Sequence, residues 1–319
     1  MKRKQIKITL LVLLAVIVII LLGSSYYFMS FALHRTWYTM ANYNHRYDSI
    51  STTYPEIRPW VDSLVNQHLI HDTMVTMQGN EQHHGIFIYA HKSTNKTAIL
   101  LHGYTDSNAS MMMIGHIYAQ MGYNLLIPDH HAHGQSDGKW VQMGWNERHD
   151  VLKWMQIADS LFRDSTGHTQ QVVHGISMGA ALTMCVSGEQ TPNYVKCFVE
   201  DCGYTSVWDE FAYKLKQLFN LPPFPLLYTT SALNKVCFGW SFGEACPLKQ
   251  VSKCHKPMLF IHGDNDTYVP TQMVYSLYHG KPYPKQLWIA YGAKHARSYQ
   301  KHKKEYIKVV KNFVEQYIK

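Results

Sequence analysis

From residue 98 to the C-terminus, short apolar runs alternate with longer segments of helical periodicity, and this alternation constrains the fold more than any other feature. Parallel strands need crossover connections, which are usually helices, so this rhythm is typical of βαβ units. The pattern therefore predicts an α/β protein with a mostly parallel sheet flanked by helices. The predicted strands cover 98–101, 123–128, 171–174, 196–200, 258–262 and 286–289. The predicted helices cover 110–121, 145–162, 178–188, 271–279 and 303–318.

Two further elements are predicted before this alternation begins. Residues 54–68 have the periodicity of a helix, with Pro55 and Pro59 in its first turns. Residues 73–77 and 85–89 alternate between apolar and polar side chains, and Gly79-Asn80 separates them. Alternating runs joined by such a turn indicate a β-hairpin.

The N-terminus differs from the rest of the chain because an uncharged, largely aliphatic stretch runs from residue 8 to residue 33. About 20 apolar residues are enough to span a bilayer. A cleavable signal has a shorter apolar core and a small-x-small site, and Leu21 is a poor occupant of the position that a cut after Gly23 would need. We therefore expect an uncleaved signal-anchor, with secretion after signal cleavage as the alternative.

The charges around this apolar stretch predict its orientation. Basic residues precede the stretch, and only Arg35 and Arg46 follow it closely. The positive-inside rule therefore predicts a cytoplasmic N-terminus, with the remaining mass periplasmic or extracellular and the membrane contacted through this helix. Aromatic residues expected at the outer membrane interface are Tyr26, Tyr27, Phe28 and Trp37.

These patterns divide the chain into three segments. Residues 1–33 form the basic tail and transmembrane anchor, 34–72 a helical linker, and 73–319 the α/β domain. Within that domain the strand–helix rhythm is interrupted between 204 and 251, a segment that contains Pro222-Pro223-Phe224-Pro225. Interruptions of this length tend to be lids or functional insertions, so we predict a partly helical cap. Extra packing at the edge of the sheet is the open alternative.

The net charge of the chain is +8 at pH 7. Part of this charge lies on a C-terminal segment of helical periodicity, which carries Lys301, Lys303, Lys304, Lys308 and Lys311. A basic patch can bind nucleic acid, but no recognition motif accompanies this one. We expect a solvated helix face and no nucleic-acid partner.

The six cysteines form no C-x-x-C pair. An exported protein can form disulfides, and Cys237 with Cys246 or Cys197 with Cys254 are conceivable pairs. Sequence alone does not determine pairing, so free buried thiols remain an equal alternative.

Suggestive polar residues follow several predicted strands, at the sheet edge where open α/β proteins bind ligands. Gly175-Ile176-Ser177-Met178-Gly179 lies between a strand of β-branched residues and a helix. A serine on such a strained strand-to-helix turn is exposed for nucleophilic attack. Ser177 is therefore the candidate nucleophile, and the alternative is a tight turn whose serine caps the helix.

A serine nucleophile needs a base, and that base needs an acid to hold it. His295 is the best-placed histidine, because it follows the last predicted strand, whereas His302 lies on the helix beyond. Asp266 is the preferred acid, since it lies further along its loop than Asp264, which is better placed to brace the turn. Asp201, after the preceding strand, is the alternative acid.

Acyl transfer also requires donors that stabilise the developing oxyanion. The backbone N–H of Met178, at the start of the helix, is one candidate donor. The other is the backbone N–H of Tyr104, which follows His102-Gly103 after the first parallel strand. The alternative is a His-Gly turn with a packing role only.

Four motifs in order give the chain a resemblance to the α/β-hydrolase superfamily over residues 73–319. They are His102-Gly103-Tyr104, Gly175-x-Ser177-x-Gly179, His262-Gly263-x-x-Asp266-x-x-Val269-Pro270 and Gly292-x-x-His295. The chain is most similar to membrane-anchored or exported bacterial hydrolases related to the prolyl-oligopeptidase-like and dienelactone-hydrolase-like groups. The resemblance implies an eight-stranded, mostly parallel sheet, a serine triad and no cofactor.

One motif departs from the family pattern. Residues 129–136 are similar to the family's D-x-R-G-H-G-x-S turn, but His131 and Ala132 replace its arginine and glycine. That turn is usually structural. His130, His131 and His133 have no carboxylate or cysteine at ligand spacing, so we predict no metal site in the chain.

The expected function is hydrolysis of a carboxylic ester or thioester by Ser177, His295 and Asp266, with Met178 and Tyr104 as the oxyanion hole. Aromatic residues of the cap, Trp208, Phe211 and Phe219, would then line a pocket for an acyl or aromatic group. A peptidase or amidase acting on short peptides is the first alternative, since the same triad cleaves amides. A catalytically silent anchored binding protein is the second. The sequence does not indicate an oligomeric state.

Overall fold

The computed structural model describes residues 2–35, 45–165 and 167–319 of the 319-residue chain. Trp37 and part of the predicted linker lie outside the described residues. The chain divides into two compact units. The smaller unit combines Met1–His34 with Ser206–Ala245, and the larger unit combines Arg35–Thr205 with Cys246–Lys319. The three segments predicted from the sequence stay predictions.

The larger unit contains an eight-stranded sheet with the strand order β1-β2-β4-β3-β5-β6-β7-β8. β1 pairs with β2, and β2 with β4, in antiparallel fashion, whereas every other neighbouring pair is parallel. The hairpin and the mostly parallel sheet are therefore confirmed. The strands are β1 (His71–Thr76), β2 (Gln82–Ile88), β3 (Lys96–Leu101), β4 (Asn124–Pro128), β5 (Gln170–Ile176), β6 (Val195–Asp201), β7 (Met258–Gly263) and β8 (Lys285–Ala290).

Both faces of the sheet are covered, as expected for parallel strands. Successive residues of β3 alternate between two apolar cores: Ala98 and Leu100 belong to one, and Ile99 and Leu101 to the other. Because neighbouring side chains on a strand point to opposite faces, a run without polar residues fits a strand buried on both sides. This explains the apolar run at 98–101 in β3.

The helices largely follow the predicted periodicity. Two short helices were not predicted as separate elements, Arg46–Thr53 (α2) and Ser298–Lys301 (α11). α2 lies in the segment predicted as a helical linker, but its polar sequence RYDSISTT carries little apolar periodicity. The helix predicted over 54–68 is divided into a 3₁₀ turn at Pro55–Ile57 and the following α3. The helices are α1 (Lys2–Leu33), α2 (Arg46–Thr53), α3 (Arg58–Asn66), α4 (Met112–Gln120), α5 (Glu147–Phe162), α6 (Met178–Ser187), α7 (Val207–Phe219), α8 (Leu226–Phe238), α9 (Pro247–Val251), α10 (Gln272–Gly280), α11 (Ser298–Lys301) and α12 (Lys303–Val314).

The smaller unit joins the N-terminal helix to the inserted helices. The Ser25 hydroxyl lies 2.7 Å from that of Thr229 on α8. The ring of Phe219, at the end of α7, contacts Phe28 and Phe31 of α1, with centroids 4.9 Å and 5.8 Å away. The insertion predicted as a partly helical cap is thus helical, and it packs on α1.

α1 is long and apolar enough to cross a membrane, and a signal sequence has the same properties.

All six cysteines are free thiols, and five of them are buried. The exception is Cys237, which is exposed. Of the arrangements left open by the sequence, the structure contains the one with unpaired thiols.

Candidate active site

Ser177 lies between β5 and α6 in a backbone conformation that few residues adopt. Its φ and ψ are 57° and −118°, and a non-glycine residue in such a region costs on the order of 1–3 kcal/mol. The neighbouring strand holds it there, because the Ser177 N–H donates to the Asp201 carbonyl oxygen at 2.8 Å. The turn raises the serine side chain at the carboxyl end of the sheet.

The glycines on either side of Ser177 are required by close backbone contacts. A Cβ atom at Gly175 would lie 2.0 Å from the Gly179 carbonyl oxygen. A Cβ atom at Gly179 would lie 2.0 Å from the Leu101 carbonyl oxygen on β3. No side chain fits at these distances, so the spacing G-x-S-x-G follows from the geometry of the turn.

His295 lies in the loop after β8 and bridges the serine and an aspartate. Its Nε2 is 2.8 Å from Ser177 Oγ, and its Nδ1 is 2.7 Å from Asp266 Oδ2. The imidazole Nδ1–H donates to the carboxylate, which leaves Nε2 as the acceptor for the serine proton. The structure therefore brings together three side chains that are 118 and 29 residues apart in sequence.

Asp266 is buried and held by several donors. Its Oδ1 accepts from the backbone N–H groups of Tyr268 and Val269 at 2.8 Å and 2.9 Å. Its Oδ2 also lies 3.3 Å from His262 Nε2. Burial alone would raise the pKa of Asp266, but the hydrogen bonds from His262 and His295 outweigh it and hold that pKa below its ordinary value. The carboxylate is therefore charged at neutral pH.

The other candidate acids and the second histidine make different contacts. Asp264 Oδ1 accepts from the backbone N–H of Gly292, which braces the turn as expected. Asp201 lies 3.3 Å from Ser298 Oγ, and burial raises the pKa of its carboxyl to about 7. His302 Nε2 lies 2.6 Å from the Tyr291 carbonyl oxygen. These contacts favour Asp266 and His295 over their rivals.

The loop after β3 passes close to the serine. A Cβ atom at Gly103 would lie 3.5 Å from Ser177 Cβ, so the backbone leading to Tyr104 runs beside the nucleophile. The next residue is fixed by a histidine, because the Thr105 N–H donates to His133 Nε2 at 3.2 Å. Met178 is the first residue of α6. The oxyanion-hole roles of the Met178 and Tyr104 N–H groups remain predictions.

Two of the three histidines in the departing motif have structural contacts. The His130 ring stacks on His102 with a centroid distance of 4.0 Å, and the His130 N–H donates to His102 Nε2 at 3.1 Å. Burial lowers the pKa of His130 to about 3 and that of His133 to about 4, so both are neutral. His131 instead contacts Glu81, with 2.9 Å between its Nδ1 and the Glu81 Oε2.

A cavity of about 520 Å³ opens beside Ser177 and His295. Its remaining walls come from α2, α4 and the loops after β3 and β8, and they include Arg46, Ile50, Tyr54, Tyr104, Asp106, Met113 and Arg297. The sequence did not indicate a role for α2, because nothing in its composition marks it as part of a site.

The aromatic residues predicted to line the pocket lie in the smaller unit. Trp208 contacts Tyr228 and Phe211 contacts Phe242, with centroids 4.8 Å and 4.9 Å apart. Phe219 contacts α1. None of the three is among the residues that line the cavity of the larger unit, and their role in a substrate pocket stays a prediction.

The sheet order, the strained serine turn and the loops that carry Asp266 and His295 together define an α/β-hydrolase. Solved structures agree with this class. The esterase Pf2001 of Pyrococcus furiosus is 26% identical, with a TM-score of 0.62 over 80% of this chain and 96% of the esterase chain. The acylaminoacyl peptidase of Pyrococcus horikoshii is 17% identical, with a TM-score of 0.57 over 81% of this chain and 44% of the peptidase chain.

Sequence comparisons identify the family. The model of the prolyl oligopeptidase family matches residues 110–319. The uncharacterized protein YqkD of Bacillus subtilis is 34% identical over 232 residues, which cover 72% of this chain and 74% of that protein. The chain belongs to the prolyl oligopeptidase family, and the resemblance drawn from its motifs is confirmed.

Proposed function

We propose that the protein is a serine hydrolase that cleaves a carboxylic ester or thioester through an acyl-enzyme. The observation that carries the proposal is the pair of hydrogen bonds from Ser177 Oγ to His295 Nε2, at 2.8 Å, and from His295 Nδ1 to Asp266 Oδ2, at 2.7 Å. A serine hydroxyl is a weak nucleophile unless an oriented base accepts its proton, and this chain of contacts supplies that base.

In the proposed reaction, Ser177 Oγ attacks the substrate carbonyl while His295 Nε2 accepts the hydroxyl proton. The charge of Asp266 stabilises the imidazolium that forms. The Met178 and Tyr104 N–H groups would donate to the oxyanion. His295 then returns the proton to the leaving group, and an acyl-enzyme remains on Ser177. A water molecule, deprotonated by His295, attacks this ester and releases the carboxylic acid.

We prefer an ester or thioester over an amide as the substrate because this chain matches nearly the whole length of an esterase but less than half the length of a peptidase. The chain spans 96% of the Pyrococcus furiosus esterase but 44% of the Pyrococcus horikoshii acylaminoacyl peptidase. A peptidase of the prolyl oligopeptidase type is the second candidate, and the family match favours it.

We further propose that α1 is an uncleaved anchor with a cytoplasmic N-terminus. The alternative is secretion of the protein after cleavage of α1 as a signal peptide.

The test compares the full chain with its Ser177→Ala variant in detergent, and Ser252→Ala replaces an exposed serine as the control. A p-nitrophenyl ester, an acyl thioester and an aminoacyl p-nitroanilide are offered in parallel. We expect Ser177→Ala to lower ester turnover by at least about 10⁴-fold, while the control is unaffected. A fluorophosphonate probe should label the wild type at Ser177.

Each outcome of this test bears on a different part of the proposal. Full ester turnover by Ser177→Ala would refute the assigned nucleophile. Faster cleavage of the anilide than of the ester would favour the peptidase. Absence of both labelling and turnover would favour a catalytically silent binding protein.

A further inference from the structure

His131 replaces the arginine of the family's turn motif. It lies close to other side chains of the kinds that bind metal ions, and the proposed reaction does not use them. Its Nδ1 is 2.9 Å from Glu81 Oε2. The same carboxylate oxygen is 3.4 Å from Nε2 of His83, on β2. One ligand atom from each of the three residues lies within 4.8 Å of the other two. We propose that Glu81, His83 and His131 form a binding site for a divalent transition-metal ion of the zinc class.

The distances suit a tetrahedral ion. Zinc binds imidazole nitrogen and carboxylate oxygen at about 2.0–2.2 Å, so neighbouring ligand atoms of a tetrahedral site lie about 3.3 Å apart. The two contacts of Glu81 Oε2, at 2.9 Å and 3.4 Å, bracket this value. Two imidazoles and one carboxylate favour zinc over magnesium or calcium, which prefer oxygen ligands. The fourth position would hold water.

The second nitrogen of His83 also has the environment of a metal ligand. His83 is 1% exposed, and among the described residues its Nδ1 has no hydrogen-bond partner. This nitrogen lies 3.4 Å from Asp150 Oδ2, on α5. Histidines that bind metals usually donate their other N–H to a carboxylate, which fixes the tautomer. A small approach of Asp150 would make that bond. Glu81 and Asp150 together would balance the charge of a divalent cation.

Neighbouring backbone positions His131 for this role. A Cβ atom at Gly138 would lie 2.4–2.7 Å from three atoms of the His131 ring, so only glycine lets the turn pass over the imidazole. The same turn is tied to β2, because the Asp137 N–H donates to the Gln82 carbonyl oxygen at 2.9 Å. Glu81 is partly exposed and leaves an entry path for the ion. The metal would fasten the loop after β4 to β2.

The experiment measures zinc bound to tag-free full chain in detergent, after loading with ZnCl₂ and dialysis, by inductively coupled plasma mass spectrometry. We expect one zinc ion per chain in the wild type and none in His131→Arg, which restores the family's residue and can pair with Glu81. Asp150→Asn should weaken zinc affinity by about 10–100-fold. His168→Gln is the matched control, since His168 pairs with Asp159 at 2.7 Å elsewhere in the fold and should leave binding unchanged.

Two further readouts do not depend on enzymatic activity. Zinc should raise the melting temperature of the wild type but not that of His131→Arg, because a ligand that binds the native state stabilises it. Co²⁺ should give the visible absorption of a tetrahedral complex in the wild type alone. His83→Gln supplies a second ligand variant, and apo melting curves report whether each variant folds.

Two results would overturn the proposal. The first is a wild type that retains no zinc, which would leave the cluster as a network of ion pairs. The second is equal zinc content in the wild type, His131→Arg and His83→Gln. That result would place the metal elsewhere, for example at Cys202, Asp266 and His295, whose ligand atoms also lie within 4.8 Å of one another.

Discussion

Gly179→Ala adds one methyl group at the second residue of α6, and the structure predicts that this methyl group is costly. The new Cβ would lie 2.0 Å from the Leu101 carbonyl oxygen and 2.6 Å from that of His102. Both contacts are with backbone, so no side chain can rotate away. Helix propensity alone gives the opposite sign, because alanine in a helix is favoured over glycine by about 1 kcal/mol. The measurement therefore separates steric exclusion from propensity.

The magnitude follows from the displacement that the methyl group would require. To bring the new Cβ to an ordinary contact distance from the Leu101 carbonyl oxygen, β3 and α6 must separate by more than about 1 Å. Extra methyl groups forced into a packed core usually cost about 1–3 kcal/mol of stability, and they require smaller shifts than this one. We expect a net loss at or above the upper end of that range, about 3 kcal/mol. In a domain of this size such a loss lowers the melting temperature by about 6–12 °C.

Gly103→Ala is the matched control for this experiment. It adds the same methyl group in the neighbouring loop, where the nearest atoms, Ser177 Cβ and the Ile176 carbonyl oxygen, are 3.5 Å and 3.6 Å away. These are ordinary contacts, so its melting temperature should stay near that of the wild type. Thermal unfolding of the full chain in detergent, followed by circular dichroism, gives both values. If the two variants melt together, the close approach of α6 to β3 does not exclude a side chain.

Two other substitutions test the acid and a buried carboxyl. Asp266→Asn should keep the fold but lower ester kcat by about 10⁴-fold, because the amide holds the wrong imidazole tautomer. Burial raises the pKa of Glu147 from 4.5 to about 7. The folded state therefore retains a proton that the unfolded state has lost, and the wild type loses up to about 3 kcal/mol of stability as pH rises between these values. Glu147→Gln should lack this loss, as urea unfolding at pH 5 and pH 8 can measure.

The controls for these two predictions are independent of each other. Asp264→Asn changes the neighbouring carboxylate, which bonds Gly292 rather than His295, so its kcat should fall far less than that of Asp266→Asn. Glu315→Gln changes a half-exposed carboxylate and should keep the pH trend of the wild type. Equal kcat for Asp264→Asn and Asp266→Asn would contradict the role of Asp266 as the acid that holds His295. A loss of stability with rising pH in Glu147→Gln as large as that of the wild type would contradict the assignment of this loss to Glu147.

The strands could be predicted because their physical cause is local. β3 is buried on both faces, and its apolar run at 98–101 meets that requirement. The positions of Ser177, Asp266 and His295 could be inferred for a related reason. Parallel strands end at one edge of the sheet, so residues that follow different strands lie near one another there.

Other features could not be predicted because they depend on contacts between distant segments. α2 has little apolar periodicity of its own, yet its residues line the cavity beside Ser177. His262 lies four residues before Asp266, and only the bend after β7 brings its ring to the same carboxylate. The group of Glu81, His83 and His131 likewise depends on β2 pairing with β4.

The contact between α1 and the cap has a practical consequence for any attempt to obtain a soluble protein. Deleting residues 1–33 would remove the partners of Phe219 and Thr229 along with the hydrophobic leader. The trimmed enzyme would then present an uncovered aromatic surface on α7 and α8, prone to self-association or rearrangement. Measurements on such a fragment would therefore describe a protein whose smaller unit has lost half of its packing partners.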